Sequence, residues 1–313
     1  MMSRDLLRFG ESDRSAFATR PLVSRHVMHE LPLWDDDELV ALLDAYPRDS
    51  LQAFTMGTDP SRREEWRYVD ASRASGREIF AAVSRGRLWL NLLRVDLADR
   101  RYGDMVRRLT RELQAECPAV GLLSINFATL LISSPGAIVY YHFDASHQAL
   151  WHMSGSKRIW LYPACDPRFA PAEIMEDIFA GAYDYDEELP YSRDFDAHAQ
   201  VFDLRSGDVV SWPQNAPHRI ENLGTVNVSL STGFITAAAE RRSLIYAANR
   251  LLRRRFGLRV RSTGETGVVA SAKCIAYRAV RRAGLVRQSV DRAYPRTLVV
   301  DCGAPLGYRR AEG

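Results

Sequence analysis

Apolar residues change their spacing twice along the 313-residue chain, and the changes divide it into three regions. In residues 1–118 the spacing is mostly helical. Asp35, Asp36 and Asp37 precede Leu39, Leu42, Leu43 and Tyr46, an acidic first turn followed by an apolar stripe that Pro47 stops. Val106, Leu109 and Leu113 form a second stripe before Pro118. Between the stripes, Leu88-Trp89-Leu90-Asn91-Leu92 is short and apolar, and it reads as a strand feeding the region that follows. Residues 1–118 are thus expected to be a mainly helical region that buttresses a β-rich centre.

From 119 to 236 the pattern shifts to short runs of β-branched and aromatic residues separated by Ser-Pro-Gly, Ser-Gly-Ser and Arg-Ser-Gly-Asp turns. Strands are expected at 122–132, 137–142, 149–152, 157–162, 200–204, 208–212, 217–221 and 226–234. With no helices alternating between them, they predict an antiparallel sandwich or barrel. Residues 166–196, rich in Asp, Glu and Tyr, are too many for a hairpin turn and are expected to form an insertion over one mouth. In the last region, 237–313, Leu244, Ile245, Ala248, Leu251, Leu252 and Phe256 mark a helix with Thr236 as cap and Gly257 as stop. A weaker helical pattern covers 270–283, and the final twenty residues read as irregular.

The net charge of +3 conceals an uneven distribution: from Glu240 onward seventeen Lys and Arg stand against five Asp and Glu. The tail is a basic module on an otherwise acidic chain. The four cysteines are far apart with no C-x-x-C spacing, which argues against a zinc ribbon or redox pair. Charges throughout Met1–Arg25 leave no apolar core for a secretory signal, and the uncharged stretch Cys117–Tyr141 is broken by two prolines and several polar residues. A cytoplasmic protein without a membrane span is expected.

Two segments carry candidate chemistry. Gly136-Ala-Ile-Val-Tyr-Tyr-His142-Phe-Asp144 places a His and an Asp two apart, on one face if the strand continues. Gly207 through Pro213 to His218 and Asn222 supplies a second His at the end of a turn-and-strand unit. An H-x-D tripeptide alone arises often by chance. Joined to a second His, however, it gives two imidazoles and a carboxylate that leave metal positions open, the arrangement of non-haem iron(II) oxygenases. The first segment resembles the first cupin motif, with Asp144 in the second metal position. The other resembles the second cupin motif, with Asn215 standing where that motif usually has Gly.

The resemblance sharpens at Trp151-His-Met-Ser-Gly-Ser-Lys157-Arg-Ile-Trp-Leu-Tyr-Pro163, which is similar to JmjC-type, cupin-like Fe(II)- and 2-oxoglutarate-dependent oxygenases and in particular to the asparaginyl hydroxylase that inhibits hypoxia-inducible factor. It implies a double-stranded β-helix (jelly-roll) barrel, mainly β with flanking helices, and His142, Asp144 and His218 as catalytic metal ligands. It also implies O2 as co-reactant and Lys157 as the cation for the distal carboxylate of 2-oxoglutarate, a role that suits a compact ammonium. Gln148 takes the place of an Asn that contacts the near carboxylate. Val139 stands where that hydroxylase has a Thr, so its hydroxyl must be replaced, with Thr129 or Asn91 as candidates; Ser229 or Ser231 is a further polar contact. The reaction implied is hydroxylation, or demethylation of an N-methyl carbon, of a protein or peptide side chain or an amino-acid-like small molecule.

Other readings compete. A non-catalytic cupin sensor that binds a small molecule would have no need of both the triad and Lys157, and a cupin hydrolase or isomerase would not require a cosubstrate lysine. His147 and His152 are better read as structural than as ligands, because neither keeps the His142–Asp144 spacing. Of Tyr140 and Tyr141, the inward one must border the metal. Trp151, Trp160 and Trp212 read as core or pocket wall. The acidic insertion reads as a solvated face more readily than as an attractor of basic substrate. The arginine-rich tail is compatible with nucleic acid, but the fold's relatives favour C-terminal helices that form a homodimer.

Overall fold

A computed structural model describes residues 5–121, 124–164, 166–180, 189–258, 260, 262–286 and 295–311. The N-terminal region forms β1 (Leu7–Arg8), α1 (Glu11–Ala16), β2 (Leu22–His26), α2 (Asp36–Ala45), β3 (Leu51–Thr55), β4 (Tyr68–Val69), α3 (Gly76–Arg85), β5 (Leu88–Leu92), α4 (Val95–Ala98) and α5 (Arg100–Glu116). The two apolar stripes become α2 and α5, and Leu88–Leu92 is a strand. Between the helices the region also contributes five strands, β1 to β5, all of which join the principal sheet. These strands hold two to five residues each, too few to display a period-2 pattern.

The centre contains β6 (Ser124–Ser133), β7 (Ile138–His142), β8 (His147–Ser154), β9 (Ser156–Leu161), α6 (Ala172–Phe179), β10 (Gln200–Arg205), β11 (Asp208–Trp212), β12 (His218–Asn222) and β13 (Asn227–Ile235). Each strand falls within two residues of its expected bounds. They form two facing antiparallel sheets: a nine-stranded one, β1-β2-β11-β8-β13-β6-β5-β3-β4, and a four-stranded one, β10-β9-β12-β7. From β6 to β13 the chain crosses repeatedly between the two sheets, so β8 lies between β11 and β13, and β12 between β9 and β7. That topology is a jelly-roll barrel.

Alternation along each strand separates two interiors. On β8, Trp151 and Met153 turn outward to a core shared with Leu39 and Leu43 of α2, Ile79 of α3 and Leu109 of α5. Leu150 turns inward to a smaller cluster with Val139, Ile159, Leu161, Val210 and Trp212. The large outer core fixes the principal sheet, and the four-stranded sheet then closes a narrower space above it.

The tail forms α7 (Ala237–Phe256), α8 (Gly267–Arg282), β14 (Leu298–Val300) and β15 (Tyr308–Arg310). Thr236 caps α7 by accepting the Ala239 N–H at 3.0 Å, and Gly257 ends it at φ 66°. The final residues are not irregular: β14 and β15 pair, and Val299 bridges Asp70. Among the described residues no helix is long and apolar enough to cross a membrane. Cys117, Cys274 and Cys302 are free thiols, and Cys165 lies outside the described residues.

Candidate metal centre

His142 ends β7 and His218 opens β12, and the two are direct partners in the antiparallel register. Their ring centroids are 4.2 Å apart. Asp144 lies two residues past the end of β7, in the loop rather than on the strand, with Oδ2 3.5 Å from Nε2 of His218. One ligand atom from each of the three lies within 4.8 Å of the others, the one such group among the described residues. Nδ1 of His142 sits 2.9 Å from the Tyr140 carbonyl and Nδ1 of His218 3.1 Å from that of Ala216. A carbonyl can only accept, so both Nδ1 atoms carry the proton and both Nε2 lone pairs stay available for a metal. Burial lowers the pKa of His218 to about 4, which keeps its imidazole neutral.

The turn that delivers His218 explains an irregularity of the sequence. Asn215 has φ 67°, the left-handed conformation that glycine adopts freely and Asn tolerates better than other side chains. Asn thus meets the backbone requirement that Gly meets in the usual motif. Next to it, Gln214 donates through Nε2 to the carbonyl of Ala145 at 2.7 Å and reaches Ser243 of α7 at 3.2 Å. Gln214 was not singled out by the sequence pattern. It ties the Asp144 loop to the His218 loop.

A cavity of about 830 Å³ opens beside His142 and Asp144. Asn91, Thr129, Gln148 and Ser231, all candidates from the sequence, line it together with Val139, which offers no hydroxyl. Thr129 pairs with Ser231 across the sheet, and the Ser231 hydroxyl donates to Oε1 of Gln148 at 3.2 Å. Asn91 already accepts from the Trp89 indole at 2.6 Å, leaving its amide N–H groups to donate. Tyr140 is the inward tyrosine and lines the cavity. Tyr141 packs outside, its hydroxyl donating to the Phe169 carbonyl at 2.8 Å.

Lys157 is a lysine buried without a counter-charge in contact among the described residues. Its side chain is fully buried on the inward face of β9, its Nζ has no hydrogen-bond partner among the described residues, and it sits 5.6 Å from the centre of the Trp89 ring that lines the cavity. Desolvation lowers its pKa from 10.5 to about 7. An unpaired buried ammonium costs several kcal/mol, which an incoming carboxylate would offset. Ser229 is not on the cavity wall: its hydroxyl meets Nδ1 of buried His152 at 2.9 Å. Neither His152 nor His147 joins the metal group; Nδ1 of His147 accepts from the Gln214 backbone N–H at 3.1 Å.

The insertion and the tail meet each other, which neither pattern disclosed. Asp177 of α6 pairs with Arg250 of α7 at 2.5 Å, and Glu176 with Arg253 at 2.7 Å, both acids being buried. These acids are therefore held by the basic tail rather than solvated, while Asp184, Asp186, Glu187 and Glu188 lie outside the described residues. The pairing carries Ile178 and Phe179 of α6, and Glu240 and Ser243 of α7, to the cavity rim, where Arg281 of α8 joins them.

Solved structures of similar fold include the ribosomal oxygenase YcfD of Escherichia coli in complex with cobalt and 2-oxoglutarate, and the crystal structure of the same protein. In both cases the identity is 16%, the match covers 91% of this chain and 69% of the other, and the TM-score is 0.50. No curated protein matches the chain in sequence. Residues 16–234 match the family model described as Cupin-like domain, and on that match, which spans both metal-ligand segments and the strands from β2 to β13 but for the last residue of β13, the chain belongs to the Cupin-like domain family.

Proposed function

We propose that this protein is an Fe(II)- and 2-oxoglutarate-dependent oxygenase that hydroxylates a C–H bond of a protein or peptide side chain or of an amino-acid-like small molecule. The observation that carries the reading is a pair: an open-sided His142/Asp144/His218 group at the cavity, and a buried, unpartnered lysine behind it. The donor set fits the groups concerned. Two neutral imidazoles and a carboxylate suit iron(II), and the unpartnered Lys157 Nζ suits a distal carboxylate. Iron, when bound, would couple decarboxylation of 2-oxoglutarate by O2, yielding succinate and carbon dioxide, to insertion of the second oxygen atom into the C–H bond.

The chain's own residues bind, orient and exclude water. His142, Asp144 and His218 hold the metal; Lys157 holds the far carboxylate; Gln148, braced by Ser231, with Thr129 and Asn91, offers polar contacts along the cavity. Phe143, Ile178 and Phe179 give the mouth an apolar wall. The likeness to YcfD supports a protein side chain within the substrate class. A sensor would have no need of both the metal group and the buried lysine, and a hydrolase or isomerase would not require a cosubstrate lysine.

The test is succinate formation by anaerobically iron-loaded protein given 2-oxoglutarate and air. We expect slow uncoupled turnover that vanishes in His142→Ala/Asp144→Ala. Metal binding without any affinity for 2-oxoglutarate would instead support a cupin of another chemistry.

A further inference from the structure

The chemistry proposed above leaves Trp212 unused. It is the last residue of β11 and paired in register with Gln148. Its ring centroid lies 4.6 Å from that of the metal-ligand candidate His218, the planes inclined by 49°. It belongs to the apolar cluster inside the barrel, with 4% of its surface exposed. An indole can only donate, and the Trp212 Nε1–H has no acceptor among the described residues. Buried indole N–H groups are normally satisfied, as that of Trp151 is by Thr232 at 2.8 Å.

The orphaned polar atoms in and beside the barrel include the side-chain oxygens of Gln214, Asn215, Asn222 and Asn227 as well as donors. Lys157 Nζ and Trp212 Nε1 are both donors, one behind the cavity and the other against the metal group. A dicarboxylate presents acceptors at each end and no donors, so it complements both. Resting on the oxygenase reading above, we propose that Trp212 is a cosubstrate-binding residue whose indole N–H donates to an oxygen of the keto acid at the metal end. The ring does a second task by packing on His218 and restraining its imidazole. The two tasks separate in Trp212→Phe, which keeps an aromatic ring and removes the N–H.

The experiment uses full-length protein loaded with zinc and titrated with 2-oxoglutarate. In the indole region of the proton–nitrogen NMR spectrum, the Trp212 resonance, identified by its loss in Trp212→Phe, is expected to move downfield on binding. Calorimetry is expected to show 2-oxoglutarate affinity about tenfold weaker in Trp212→Phe, as loss of a hydrogen bond to a charged group implies, with zinc affinity within about twofold. An unmoved resonance with unchanged 2-oxoglutarate affinity overturns the proposal and leaves the oxygenase reading standing. Equal losses of zinc and 2-oxoglutarate affinity also overturn it, by assigning Trp212 to ring packing alone. No binding of 2-oxoglutarate by wild-type zinc protein removes both readings together.

Discussion

Trp151 and His152 are neighbours on β8 and face opposite sides of one sheet. Outside, Trp151 is completely buried in the large core, against Phe17 and His26, and its indole is satisfied by Thr232. Inside, His152 is as deeply buried, yet among the described residues its Nε2 has no hydrogen-bond partner, and neither have Lys157 Nζ and Trp212 Nε1. The outer region is a core in the ordinary sense, where close-packed apolar side chains stabilise the fold. The inner region sacrifices stability, since each buried orphan costs about 1–3 kcal/mol and a charged one more. A space that keeps such costs is arranged around something that binds there.

Substitutions should therefore separate the two faces. The largest effect is expected from His142→Ala/Asp144→Ala: divalent-metal affinity should fall by a hundredfold or more in calorimetry, while the melting temperature of the metal-free protein changes little. On the other face, Leu130→Ala removes a fully buried side chain of the outer core. It should cost about 2–5 kcal/mol in denaturant unfolding while leaving cosubstrate affinity intact. Were cosubstrate affinity to fall with stability, the two interiors would be one.

Lys157 inverts the usual sign. Its pKa in the folded protein is depressed to about 7 while the unfolded chain keeps the ordinary 10.5, so between these values the unfolded state binds more protons. Its burial penalty is full below pH 7 and fades as the pH rises toward 10.5. Lys157→Met should raise the melting temperature of the ligand-free protein at pH 7, and the gain should shrink by pH 10. The same variant should lose 2-oxoglutarate binding. In the wild type, affinity should fall as pH rises above 7, with proton uptake on binding that calorimetry in buffers of different ionisation enthalpy detects. A smaller effect is expected at the turn before His218. Asn215→Gly should be nearly neutral, whereas Asn215→Ala should cost about 1 kcal/mol for the left-handed backbone.

Much of the barrel was legible because its strands obey a period of two and are punctuated by glycine, proline and serine. The metal candidates were legible because motif spacing survives in sequence, and Lys157 because it follows Asp144 in a recognisable turn. What was hidden depends on contacts across the chain. The short strands β1 to β4 are defined by their place on the sheet edges, and no pattern within two to five residues could reveal them. Pairing of Asp177 with Arg250 joins segments seventy-three residues apart, and Gln214 earns its place only by what lies above and below it. Trp212 read as core or wall because burial is visible in a sequence and an unsatisfied N–H is not.

The measurement that bears most directly on the polar interior is calorimetric titration of 2-oxoglutarate into the wild type, once with manganese bound and once metal-free, beside manganese-loaded Lys157→Ala. Metal-dependent binding that collapses in Lys157→Ala is the expected result. Binding that is absent, or that ignores both the metal and Lys157, would contradict the assignment of the barrel to a metal and its keto acid.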